Sequence, residues 1–305
     1  MSNTKPAEVD LKKLLSNAQL PALPQSAISL LELSQDPKNG PAEFAEPIEA
    51  DPGLTGQVLR FVNSSYFGFS RKISSIKLAI TLVGIRTIKN FSLWSAVFSL
   101  MPNPKCGSLD LKSLWQDSLR RALFARAMAK HLGHKATEEM FAAALLQDMA
   151  VPLLAKEASQ VYEKLLETRA QGEKRLSEIE QEALGWTHAE AAGIMARQWN
   201  LPEDFAVAIE NHTDIDRCLD GEPESLGKTI VALSALLPSA ADSQWNECEQ
   251  FESAYEKVVK NGGPTIAAVL QQTDDEFTDF SPVLKISAPK MSLMDYHEQV
   301  SPVAN

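Results

Sequence analysis

The chain has 305 residues, of which 44% are hydrophobic, and a mean hydropathy of −0.16, enough for one sizeable core or two linked cores. Its formal charge of −11 argues against nucleic acid and anionic membrane surfaces as partners, and no apolar run is long enough to span a bilayer. A polar start from Met1 to Asp10, without a secretory apolar core, and three scattered cysteines (Cys106, Cys218, Cys248) with no CxxC pair lead us to expect a cytoplasmic protein with reduced thiols.

Helical periodicity dominates, and alternating strand patterns are nearly absent. Leu11, Leu14 and Leu15 predict a short opening helix. Leu30, Leu31 and Leu33 mark a second, closed by Asp36-Pro37. A third, around Phe44 and Ile48, contains Pro47 and is expected to be short or kinked. Leu54, Val58, Leu59 and Val62 form the stripe of a fourth, followed by the aromatic loop Tyr66-Phe67-Gly68-Phe69. A fifth around Ile76 and Ile80 ends before Gly84, and a long apolar helix runs from about Arg86 to Leu100.

Two prolines and a glycine between Met101 and Gly107 cannot continue a helix, which makes this stretch the expected subdomain boundary. The expected division is an N-terminal helical subdomain over 1–104, a second over 105–272, and an irregular acidic, Pro/Ser-rich tail over 273–305. Helices are predicted near 109–132, 136–148, 157–170, 175–184, 187–200, 203–212, 224–237, 250–261 and 264–272. Thr187-His188-Ala189-Glu190 reads as a capping box that starts one of them.

Three apolar stripes end in a titratable group. Phe141, Ala144, Leu145 and Asp148 share one helical face. His188, Ala192, Met195 and Trp199 share another, and Phe205, Ala208, Ile209 and His212 a third. Each polar group should therefore lie at the edge of a core, where a buried Asp needs hydrogen bonds or a charged partner. Three roles are open to Asp148, His188 and His212: satisfied structural residues, metal ligands, or contacts to an organic ligand. His188 also has a plain alternative, solvated in the first helical turn.

Lys and Arg gather loosely at Arg60, Arg71, Lys72, Lys77, Arg86 and Lys89. The group reads either as a solvated helix surface or as a docking face for an acidic or phosphorylated partner. With the aromatic loop, it makes Asn63, Ser64, Tyr66, Phe67, Arg71 and Arg86 candidate binding residues. The alternative is that the aromatics are core pegs and Asn63 a cap.

An ordered run of short motifs resembles the HDOD (HD-related output domain) family. It comprises Leu20-Pro21-Ala22-Leu23-Pro24, Asp51-Pro52-Gly53-Leu54, Val62-Asn63-Ser64-Ser65-Tyr66-Phe67-Gly68, Ile73-Ser74-Ser75-Ile76 and Ala79-Ile80-Thr81-Leu82-Val83-Gly84. It continues with Leu114-Trp115-Gln116-Asp117-Ser118, Ala144-Leu145-Leu146-Gln147-Asp148, Thr187-His188-Ala189-Glu190 and Trp199-Asn200-Leu201-Pro202, and covers about residues 20–213. The resemblance implies an all-α, HD-domain-like helical bundle and a bacterial signal-transduction role. The implied partners are signalling proteins, a nucleotide or a cyclic dinucleotide.

HD phosphohydrolases hold metal through a first His, a His-Asp doublet and a later Asp. In this chain the first position matches Asp117, the doublet Gln147-Asp148, and the last Ser234 in a loose alignment. Gln and Ser lack the donor strength of the residues they replace, which should remove most metal affinity. No cofactor is therefore expected. Any divalent metal would rest on Asp148, His188 and His212. The leading expectation is a non-catalytic output module, and the rival is a metal-dependent phosphohydrolase with an altered ligand set.

Overall fold

The computed structural model describes residues 10–18, 20–172, 174–220, 225–259, 262–282 and 284–300, and among these there is no strand. The polar start before Asp10, position 224 of one predicted helix, positions 260 and 261 of another, and the last five residues of the tail lie outside them. No helix among the described residues is long and apolar enough to cross a membrane.

The first block holds α1 (Leu11–Asn17), α2 (Gln25–Leu33), α3 (Pro41–Glu49), α4 (Pro52–Val62), α5 (Ile76–Val83) and α6 (Ile85–Leu100). Asp10, Asp51 and Ser75 cap α1, α4 and α5 by accepting a backbone N–H three residues on. Pro47 sits inside α3, which is short at nine residues. Beyond the break come α7 (Leu111–His131), α8 (Thr137–Leu146), α9 (Ala150–Glu157), α10 (Ser159–Arg169), α11 (Leu176–Leu184), α12 (His188–Gln198), α13 (Glu203–Glu210) and α14 (Ile215–Leu219). The chain closes with α15 (Leu226–Ser234), α16 (Cys248–Val258), α17 (Ile266–Phe280) and α18 (Leu293–Val300).

The proline break interrupts the backbone, not the core. One cluster of buried apolar side chains runs from Leu15 to Tyr296. Phe98 of α6 meets Trp115 of α7 across the break at 4.2 Å between ring centroids. Trp199 donates its indole N–H to the Pro21 carbonyl at 3.0 Å, which joins the first motif of the run to one of the last.

The tail departs from the expected irregular segment. α17 continues to Phe280 and α18 follows, with Phe277, Phe280, Leu293 and Tyr296 all buried. Acidic composition misled because Asp274 and Glu276 have structural partners. Asp274 accepts the N–H groups of Leu293 and Met294 at the start of α18, and Glu276 pairs with buried Arg126 at 2.7 Å. Arg126 also lies over the rings of Tyr66, Phe141 and Phe280, 4.7, 4.8 and 5.5 Å from their centroids. Two short helices, α9 and α14, are likewise absent from the periodicity reading, since eight and five residues give too few turns for a stripe.

The tail is thus a structural member of the core. Phe280→Ala should cost about 3–5 kcal/mol through the cavity it leaves, measured by urea unfolding. A loss below about 1 kcal/mol would mean that the tail is not packed as described.

Candidate functional site

α8 ends at Leu146, two residues short of the predicted end, so Gln147 and Asp148 sit on the turn into α9. His188 is the first residue of α12. Thr187 accepts the Glu190 N–H, and the Glu190 carboxylate accepts the Thr187 N–H at 3.0 Å, the reciprocal arrangement read from the sequence. His212 lies two residues past the end of α13. That helix approaches α12 closely at Gly193, where a Cβ would stand 2.8 Å from Cβ of Glu210. Glycine is needed there for the two helices to pack this closely.

These elements bring Asp148, His188 and His212 together. Asp148 Oδ1 lies 3.3 Å from His188 Nε2 and 3.5 Å from His212 Nε2, and the two Nε2 atoms are 3.3 Å apart. All three residues are buried. The far ring nitrogens are held from behind. His212 Nδ1 donates to the Ile209 carbonyl at 2.6 Å, and His188 Nδ1 donates to Glu180 Oε2 at 2.6 Å. With a proton on each Nδ1, both Nε2 atoms turn toward Asp148. Glu180, fully buried, also accepts the His188 N–H at 2.8 Å and the Tyr162 hydroxyl at 2.6 Å.

The charges settle on this frame. Burial pushes the Asp148 carboxyl up, but the Arg121 guanidinium bonded to Oδ2 and the hydrogen bond from His188 outweigh it and hold the group well below its usual range. Burial pulls His188 down, yet Glu180 and Asp148 raise it to about 9. His212 is lowered, chiefly by burial. Without a metal, His188 is therefore an imidazolium between two carboxylates, and His212 is neutral.

Of the other expected positions, Asp117 lines the same cavity as the triad, whereas Gln147 and Ser234 are not among its lining residues. Asp117 is buried on α7, accepting the Ser239 hydroxyl at 2.6 Å and the Ala240 N–H at 2.7 Å, and burial raises its carboxyl. Ser234 donates to the Val231 carbonyl at 2.7 Å. Gln147 is fully buried, and both its amide atoms lack a partner among the described residues. Arg121, Glu180 and Tyr162 complete the site but were not expected. Arg121 had a usable signal, four residues after Asp117 on the same helix face. Glu180 had none, sitting among other glutamates in a helix of ordinary acidic composition.

The triad donors can accept a single cation, with Asp148, His188 and His212 as its ligands. Among the described residues, no other group of His, Cys, Asp or Glu side chains gathers closely enough to share an ion. Arg121 on Asp148 also places a fixed positive charge beside the one cation position. The triad opens on a cavity of about 330 Å³ lined by, among others, Asp117, Arg121, Arg169 and Arg175.

The candidate binding residues near the aromatic loop lie away from this cavity. Asn63 bridges the Leu59 and Ile73 carbonyls and accepts the Ile73 N–H, each at 2.7 Å. Ser64 donates to the Phe61 carbonyl. Tyr66 and Phe67 are half-buried, with Tyr66 edge-on to Phe280 and Phe67 edge-on to Phe61. These four brace the loop. Arg86 is exposed and reaches Glu139 at 3.7 Å, and Arg71 is exposed.

A family model for the HDOD domain matches residues 20–215. An uncharacterized protein of Treponema pallidum (strain Nichols) is 25% identical over 199 residues, 64% of this chain but 38% of that relative, so the chain spans well under half of its length. An HDOD domain protein of unknown function from Geobacter sulfurreducens superposes with a TM-score of 0.64 at 20% identity, covering 96% of this chain and 93% of that one. A candidate signal transduction protein from Marinobacter aquaeolei VT8 superposes with a TM-score of 0.61 at 20% identity, covering 89% of this chain and 58% of that one. With nearly two-thirds of its length matched by one family model and its helical architecture shared with that family, the chain belongs to the HDOD domain family.

Proposed function

We propose that the chain is a bacterial, cytoplasmic signal-transduction output module that works by binding a protein partner or a nucleotide rather than by hydrolysis. One observation carries the reading. Both oxygens of Asp148 are already engaged, Oδ2 by Arg121 and Oδ1 by the His188 imidazolium. A guanidinium and an imidazolium thus supply the positive charge that a metal would bring. Hydrolysis of a phosphate ester on such a scaffold needs a metal-activated water, and Gln147 lends no ligand strength to hold that metal. The name of the Marinobacter protein supports a signalling role. The partner-binding face is assigned to the first block, where Arg71 and Lys72 are exposed and Leu78 and Leu82 of α5 are 45% and 48% exposed.

A second reading, a metal-dependent phosphohydrolase with an altered ligand set, is favoured by one measurement. The three donor atoms form a triangle with edges of 3.3, 3.5 and 3.3 Å. A tetrahedral site with bonds of about 2.0–2.1 Å has edges of about 3.3–3.4 Å. A cation held there would act as a Lewis acid and lower the pKa of a bound water.

The two readings part on metal content and turnover. Protein purified without chelator should carry well under one divalent metal per chain by mass spectrometry. It should leave bis-p-nitrophenyl phosphate intact with added Mn²⁺ or Zn²⁺. Stoichiometric metal with metal-dependent turnover would replace the binding reading by the hydrolytic one.

The pH dependence provides an independent check. His188 has its folded pKa raised to about 9, so its contribution to stability is complete below about pH 6.5, the unfolded value, and is lost as pH rises through about 9. Chelator-treated wild type should therefore lose on the order of 3 kcal/mol of unfolding free energy across that window. His188→Gln should be less stable at pH 6.5 and lack that part of the slope. Equal slopes in the two proteins would show that His188 is not the charged bridge.

A further inference from the structure

The cavity beside the triad has a second polar corner that the Asp148 network does not use. It is built at the start of α11, where Arg175 is the N-cap residue and Leu176 and Ser177 are the first two helical positions. All three line the cavity. A helix N-terminus presents unsatisfied N–H groups and the positive end of its dipole. Here two side chains add to it. Ser177 is only 6% exposed, and among the described residues its hydroxyl has no hydrogen-bond partner. Its oxygen is open to the cavity and free to bond a molecule that enters there. Arg175 makes one side-chain hydrogen bond, Nη2 to the Ala235 carbonyl at 3.2 Å, and no ion pair among the described residues.

Most of the remaining charges of the lining have partners. Arg121 is paired with Asp148 and Arg169 with Asp242. Asp117 holds Ser239 and Ala240, and Asp110 caps α7. Glu247 acts on Arg175 through its field but stands beyond ion-pair distance, and burial, the larger influence, pulls the guanidinium's pKa down. This corner thus groups a guanidinium, a hydroxyl and a helix N-terminus, with Glu247 on the same lining and Glu178, which accepts the Arg175 N–H at 3.1 Å, as carboxylates that act on Arg175. Leu109, Leu114 and Leu166 give the cavity an apolar wall. Its volume of about 330 Å³ falls at the small end of ligand sites, roughly 300–1,000 Å³. That is room for a mononucleotide-sized molecule, while a cyclic dinucleotide, made of two such units, exceeds it.

We propose that this corner is an anion subsite for a phosphomonoester of nucleoside size. The phosphate sits on Arg175, the Ser177 hydroxyl and the first-turn amides of α11, and the body of the ligand lies along the leucine wall. The proposal rests on the reading of the chain as a binding module and names the ligand class of its cavity.

Isothermal titration of the full chain, chelator-treated, with AMP and GMP, and with adenosine, inorganic phosphate and cyclic di-GMP as comparisons, tests the assignment. AMP or GMP should bind, inorganic phosphate more weakly, and adenosine and cyclic di-GMP not measurably. Arg175→Gln should weaken the nucleotide by about tenfold or more, as expected for loss of a charged hydrogen bond. Ser177→Ala should weaken it several-fold. Should Arg175→Gln fail to fold, Arg175→Lys, which keeps the charge but not the planar fork, should still weaken binding. No binding of either nucleotide at millimolar concentration, adenosine binding as tightly as AMP, or unchanged affinity in the folded Arg175 variant would overturn the subsite. Release of phosphate from a bound nucleotide would instead sustain the subsite and overturn the non-catalytic reading.

Discussion

A carboxylate cannot be buried alone, and the placement of Asp148 organises this molecule around that constraint. The group is held in the core rim with Arg121 on one oxygen and the His188 imidazolium on the other, His212 lying alongside. Each partner needs support of its own. His188 is fixed by Glu180, Glu180 by Tyr162, and His212 by the Ile209 carbonyl. The result ties α7, α10, α11, α12 and the ends of α8 and α13 into one buried polar network. Removing a member would leave a charge without compensation, far costlier than the loss of a surface ion pair.

The network also balances its own buried charge. A metal site concentrates negative charge and lone pairs, and replacing ligands leaves that charge without its counterion. Here a guanidinium and a proton on His188 supply the balance. The donors still form a triangle of metal-like dimensions, because the second-layer contacts that aim them, Glu180 and Ile209, are the same contacts that a ligated histidine requires. Geometry alone is thus compatible with either occupant, and charge decides between them.

The C-terminal segment, beyond the family-matched residues, is part of the same construction. Tyr296 donates its hydroxyl to the carbonyls of Ser239 and Asp242, in the turn that lines the cavity and engages Asp117 and Arg169. Gln116 donates to the Ser287 carbonyl at 2.7 Å. The cavity wall is therefore finished by residues outside the family-matched stretch.

The sequence by itself determined the helical class, because a 3.6-residue apolar period repeated along most of the chain admits no sheet. It also marked Asp148, His188 and His212, since a titratable group that ends an apolar stripe must lie at the rim of a core. The capping box at Thr187 set the start of α12 for the same local reason: its partners are three residues apart. What lies far apart in the chain was decided only by tertiary packing. Glu180 became the brace of His188 because α11 and α12 turn back on each other, and nothing in its local sequence separates it from neighbouring glutamates. The tail read as irregular because Asp274 and Glu276 look like solvent-facing acids, and only the fold supplies the helix start and the buried Arg126 that they satisfy. Asp117, expected with the triad, lines the same cavity but hydrogen-bonds the 239–240 turn, a partner more than a hundred residues away that no spacing rule could have indicated.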